Sequence, residues 1–154
     1  MAREPTLRER ALRLLAGREH TRAELARKLA PLAATQAALD ALLTGLEGRK
    51  QLSDERYAEA RVHQLSRKFG ALRVRRELVA KGVEPEVAER FAADAEKADL
   101  ERARSILARK YRVPASAPQE RARRARFLQS RGFSLEVIRR ALGTFRDAPT
   151  EEFP

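Results

Sequence analysis

Two runs of basic residues carry the chemistry this sequence offers. Between positions 61 and 81 stand Arg61, Arg67, Lys68, Arg73, Arg75, Arg76 and Lys81, opposed only by Glu77. Between positions 121 and 131 stand Arg121, Arg123, Arg124, Arg126 and Arg131, with Arg139 and Arg140 close behind. Glu84, Glu86, Glu89, Asp94, Glu96 and Asp99 lie between the two runs, so charge is patterned along the chain. A guanidinium fork holds carboxylate or phosphate oxygens at two points. The chemistry on offer is therefore non-covalent capture of an anionic partner. Any one of these arginines, taken alone, reads as part of a solvated helix face; together they read as a binding surface. A net charge of +11 raises self-repulsion in the compact state, and an anionic partner would offset it.

Other reactive residue types lack the company that chemistry needs. His20 and His63 are solitary, there is no Cys, and no carboxylate–His spacing suggests a metal site. Ser53, Ser66 and Ser130 sit in no recognisable nucleophile setting. A GxxxxGK[ST] loop is missing, so no nucleotide cofactor is expected. Asp54 and Glu55 read as a helix start rather than a metal-binding pair. No enzymatic activity and no cofactor are expected. Aromatic residues are only 5% of the chain and Trp is absent, which argues against base stacking as the main binding mode. No apolar run is long enough to span a bilayer, and the N-terminal MAREPTLRER has no signal-like apolar core. A cytoplasmic monomer is expected.

These side chains must be positioned by helices, because no strand alternation appears and Ala, Arg, Leu and Glu dominate. Thr6 with Glu9 and Thr21 with Glu24 read as capping boxes. They open helices carrying Leu7, Ala11, Leu14 and Leu15 to Gly17, and Leu25 and Leu29 to Pro31. A third helix carries Leu39, Leu42, Leu43 and Leu46. Ser53 or Asp54 caps a fourth, with Ala58, Val62, Leu65 and Phe69 on its apolar stripe. After Gly70 a short helix turns Val74 and Leu78 inward and stops at Gly82. On it, Arg75 falls within an arc of Ala71, Leu72, Val74, Leu78 and Val79. It either snorkels from the core or reaches an anion. Pro85 opens a helix with Val87 and Phe91. From 94 to 99 the chain either turns a corner or continues as one helix. Pro114 and Pro118 bracket a loop. A helix through Phe127 and Leu128 then stops at Gly132, and Ser134 caps a last one with Leu135, Ile138, Leu142 and Phe145. Tyr57 and Phe69 fit packing better than a role beside the binding face.

Three segments align without gaps, from Ala26, Arg75 and Ala125. Leu29, Leu78 and Leu128 coincide, as do Ala34, Val83 and Phe133. Gly82 and Gly132 coincide where the first copy has Ala33. The expected fold is all-α: a tandem array of three three-helix repeats forming an elongated, curved protein. The expected triplets are residues 6–53, 54–98 and 99–146, with flexible ends at 1–5 and 147–154.

The ordered set Leu52-Ser53-Asp54, Tyr57-Ala58, Gly70, Arg73-Val74, Glu77-Leu78 and Lys81-Gly82-Val83 resembles the RecX family of bacterial recombination regulators. Phe127-Leu128 and Arg131-Gly132-Phe133 resemble its third repeat. Ala11-Leu12, Leu14-Leu15, Glu24-Leu25 and Leu29 resemble its first. The likeness runs from about residue 7 to residue 146; Ala33 and the Gly48-Arg49-Lys50-Gln51 approach depart from it. It implies a non-enzymatic protein that binds the RecA filament on single-stranded DNA and limits its growth, ATPase, strand exchange and coprotease activities. Direct contact with nucleic acid is expected to be weak and salt-sensitive. The alternative is a stand-alone DNA-binding protein, a helix-turn-helix regulator or a nucleoid protein. Against that, the basic helix from Ala71 to Lys81 has no Asn or Gln to read base edges. An RNA- or ribosome-associated helical protein is a third reading.

Overall fold

The structure, a computed structural model, describes residues 1–143. Phe145 and the 147–154 tail lie outside the described residues. Within them every regular element is helical: α1 (Leu7–Gly17), α2 (Arg22–Leu29), a 3-10 turn (Ala30–Leu32), α3 (Gln36–Gly48), α4 (Asp54–Leu65), α5 (Ala71–Ala80), α6 (Pro85–Glu96), α7 (Asp99–Lys110), α8 (Pro118–Ser130) and α9 (Leu135–Leu142). The all-α expectation holds. The described chain forms two compact units, one of Met1–Gln64 with Arg76–Phe91, the other of Leu65–Arg75 with the described residues from Ala92 to Gly143.

The helix ends follow side-chain chemistry. Thr6 and Glu9 form the full reciprocal box expected at α1. Thr21 forms only half of one: its hydroxyl accepts the Glu24 amide N–H at 3.0 Å, but the Glu24 carboxylate turns to Arg18. The stronger charge-assisted partner wins. At α4 the open choice resolves to Ser53, whose hydroxyl accepts the Arg56 N–H at 3.2 Å. Asp54 serves a different helix, accepting the Arg22 N–H that begins α2 at 2.7 Å. The stretch from 94 to 99 is a corner, with α6 ending at Glu96 and α7 beginning at Asp99.

In the first unit a core forms from Ala11, Leu25, Leu29, Leu39, Leu43, Leu46 and Leu52, with Leu42 at its edge. Leu78, Val83, Tyr57 and Ala58 are buried as well. In the second unit the core is Ala103, Leu107, Leu128, Phe133, Val137 and Ile138. The inward face of α6 is made of alanines, Ala88, Ala92 and Ala95, while Val87 and Phe91 are only partly covered. Leu135, named with Ile138 and Leu142 on the last helix, is 60% exposed. It is the first residue of α9, and Val137 takes the inward position.

Glycines mark close backbone contacts inside each unit. Gly82 has φ +90, and a Cβ there would lie 2.4 Å from Ala23 Cβ. Gly132 has φ +85, and a Cβ there would lie 2.3 Å from Arg73 Cβ. Only Gly combines that conformation with that proximity. Thr21 donates its hydroxyl to the Lys81 carbonyl at 2.5 Å, and Gly70 donates its N–H to the Arg131 carbonyl at 2.8 Å. In both places the carbonyl just before the Gly stop receives the residue just before a second helix of the preceding repeat. Ala33, at the matching place in the first copy, has φ −82 and no need of a Gly.

Candidate nucleic-acid interface

The chain end of α4 and the turn after it carry Arg67, Lys68 and Phe69 in the second unit. The last turn of α7 brings Arg109 and Lys110 beside them, and the end of α8 brings Arg131. These five cations line one open groove of about 620 Å3, floored by Phe69, Ile106 and Phe127. Among the described residues no carboxylate lines it. Two of the five, Lys110 and Arg131, are instead seated on aromatic rings. Lys110 Nζ lies 3.8 Å from the Phe127 ring centre, and the Arg131 guanidinium lies 5.2 Å from Phe127 and 5.7 Å from Phe69. Arg73 lies 4.5 Å from the Phe69 ring centre. Arg131 also reaches the Lys68 carbonyl at 3.4 Å. An exposed cation–π contact is worth about 0.5–1 kcal/mol. It orients these side chains without neutralising them.

The other predicted site residues divide clearly. In the first unit Arg61 is half-buried and paired with Glu77 at 3.0 Å. It and Lys81 border a pocket of about 300 Å3 in which Glu19 and Glu24 balance Arg18. The Arg18–Glu24 fork, at 2.5 and 3.1 Å, holds the Glu24 carboxyl down at about 2. Arg76 and Lys81 are exposed. Arg75, the last residue of this helix that belongs to the second unit, is exposed too, on the same side of α5 as Leu72, at 49%, and Val79. The apolar arc is therefore narrower than the sequence suggested, and Arg75 has no core to escape from.

In the second unit Arg123 and Arg126 are exposed on α8. Arg124 lies inside the unit. It is 4% exposed, lies 4.1 Å from the Tyr111 ring centre, and pairs with Glu120 at 2.5 Å. It packs the interior of its unit and presents no face to a polymer. Arg121 donates to the Leu142 carbonyl at 3.0 Å and to the Gly143 carbonyl, closing the end of α9. That places favourable positive charge at a helix C-terminus. Sequence reasoning missed Arg109 and Lys110. Their signal was a basic pair ending a helix, but the partners that give it meaning are some 40 residues away at Arg67 and Lys68.

His20 is buried beside Lys28. Lys28 donates to Nε2 at 2.9 Å, so Nδ1 carries the proton and donates to the Arg18 carbonyl at 3.0 Å. Burial, then the neighbouring cations Arg18 and Lys28, push its pKa down, and the Arg18 carbonyl opposes them. Among the described residues no group of three or more His, Cys, Asp or Glu is placed to hold a metal ion. Among the described residues no helix is long and apolar enough to cross a membrane.

Comparison with known proteins matches three RecX domain models in order: the first three-helix domain at residues 8–42, the second at 53–90 and the third at 97–142. Regulatory protein RecX of Leptothrix cholodnii is 46% identical over 138 residues, covering 89% of this chain and 87% of that one. Regulatory protein RecX of Herbaspirillum seropedicae is 43% identical over 145 residues, covering 94% of each. The crystal structure of RecX from Lactobacillus salivarius superposes with a TM-score of 0.72 at 21% identity, covering 86% of this chain and 89% of that one, and shares its fold. With three tandem three-helix domains in family order, the chain belongs to the RecX family of regulatory proteins.

Proposed function

We propose that the protein is a negative regulator of RecA recombinase, binding the RecA filament on single-stranded DNA in its groove or at its growing end. Bound there it limits extension and inhibits ATP turnover, strand exchange and coprotease activity. The observation that carries this reading is the match of all three three-helix domains, in order, to a family named for regulation. A row of like domains suits a partner that is itself periodic. The triplets at 6–53, 54–98 and 99–146 are taken as its contact units.

The protein acts as a cytoplasmic monomer without catalysis of its own. Arg67, Lys68, Arg73 and Arg131, with Arg61, Arg75, Arg76, Lys81, Arg123 and Arg126, supply the positive charge that meets acidic protein surface and DNA phosphates. Steering by such charge speeds encounter with a polyanionic filament. Arg121 and Arg124 act by holding the second unit together.

The test is binding of the protein to RecA filaments assembled on an oligo-dT strand with a non-hydrolysable ATP analogue, against the strand alone. Retention on the filament at salt that strips the protein from bare strand supports the reading. Equal affinity for both, with one salt dependence, supports the stand-alone DNA-binding alternative.

A further inference from the structure

We infer that the groove of the second unit is a single-strand nucleic-acid site in which a base displaces Lys110 from the face of Phe127. The inference rests on the reading above only in that the strand is the DNA within the filament. Arg109 and Lys110, absent from the basic runs of the sequence, are central to it.

The groove gathers five cations from three chain segments with no carboxylate among its lining residues. Such a concentration of like charge in an open cleft suits a backbone of successive phosphates. An acidic protein face would be met as well by the cations alone, but it gives no role to the rings. Phe127 is held edge-on to Tyr111, with centres 6.5 Å apart and planes at 85°, so its orientation is fixed. Lys110 sits on Phe127 at 3.8 Å and is exposed at the last position of α7.

An exposed lysine–ring contact is weaker than a base stacked on an aromatic ring. Exchange of one for the other is downhill, and the released ammonium is already in the groove, where it can meet the adjoining phosphate. A duplex hides its base faces in the stack and gains only the charge contacts. The site therefore selects single strands, without reading sequence, since every base has a π face.

The experiment is anisotropy titration of the full chain with fluorescein-labelled dT30 and with a 30-base-pair duplex, without RecA, across a salt series. Arg67→Ala with Arg109→Ala is expected to weaken both ligands by about tenfold or more and to reduce the dT30 salt slope by about 1.4. Phe127→Leu is expected to weaken dT30 by about fivefold or more and leave the duplex unchanged. Phe127→Tyr, which keeps a ring, is expected to retain dT30 binding. Circular dichroism melting of each variant guards against misfolding, and Lys110→Ala provides an exposed second probe. It removes one charge but bares the ring, so it is expected to shift preference towards dT30. Unchanged dT30 binding by the double variant overturns the site. If that variant also loses filament inhibition, the groove is a protein-docking face instead. Equal losses on dT30 and duplex in Phe127→Leu overturn the stacking exchange. The dT30 and duplex titrations do not depend on whether RecA is the partner.

Discussion

The Asp99 carboxylate accepts the Ala71 amide N–H at 2.9 Å, so the first residue of α7 caps the first residue of α5. Asp54 does the same for Arg22 at the start of α2, at 2.7 Å. A helix N-terminus leaves amide donors without partners, and an aspartate there satisfies one while meeting the positive end of the helix dipole. Here the aspartate comes from the next repeat rather than from the helix itself. Asp99 is 1% exposed, and among the described residues its second oxygen accepts no hydrogen bond and lies 3.6 Å from the Arg102 guanidinium. Burial pushes the pKa of both aspartates up, while the amide hydrogen bonds oppose the shift.

Removing either cap should therefore cost stability. Asp99→Ala and Asp54→Ala are each expected to lower it by about 0.5–2 kcal/mol, as for a local N-cap. Asp99→Asn keeps an acceptor oxygen and sheds a poorly solvated charge, so it should cost less than Asp99→Ala. Urea unfolding at pH 7 checks the order; Asn costing more than Ala would contradict it. The sign with pH follows from the raised pKa. Asp99 contributes stability that is complete below its unfolded pKa near 3.8 and is lost as pH rises through its higher folded value.

Gly132 and Gly82 bear on the joints described above. Gly132→Ala and Gly82→Ala are each expected to cost more than about 1 kcal/mol, since a positive φ and a blocked Cβ act together. Gly45→Ala makes the contrast: it lies inside α3 with nothing near its Cβ, and should gain about 0.5–1 kcal/mol. Thermal melting of the three variants distinguishes them by sign.

Much of this was legible in the sequence. Thr6, Ser134, Gly82, Pro85 and Pro118 stop and start helices through their own chemistry, so those boundaries could be read locally. The break between α6 and α7 could not, because Lys97 and Ala98 are good helix residues. It accompanies the burial of Asp99 against a helix 28 positions earlier. The groove was legible in part. Arg67, Lys68 and Arg131 stood out as charge, but Arg109 and Lys110 acquire meaning only when α7 packs beside the α8–α9 pair. The burial of Arg124 was partly legible too, since Glu120 four residues before it on the same helix face offers a partner.

Acid should loosen the first unit in two stages. The pKa of His20 lies below its ordinary value, so its contribution is complete above pH 6.5 and is lost as pH falls below it. Glu24, held at about 2 by Arg18, contributes fully above about pH 4.5, and this is lost as pH falls towards 2. Melting temperature should therefore fall between pH 7.5 and 5.5 in the wild type. It should fall less in His20→Gln, whose amide can accept from Lys28 without gaining a proton. A parallel decline in both proteins would remove His20 from the explanation.

The central claim is control of the RecA filament, and DNA-dependent ATP hydrolysis by RecA on circular single-stranded DNA tests it most directly. The protein is titrated in at levels well below RecA. Progressive loss of turnover at these substoichiometric levels is the predicted result, because each bound molecule affects more subunits than it touches. Undiminished turnover, with tight salt-sensitive binding to the DNA alone, would contradict the account.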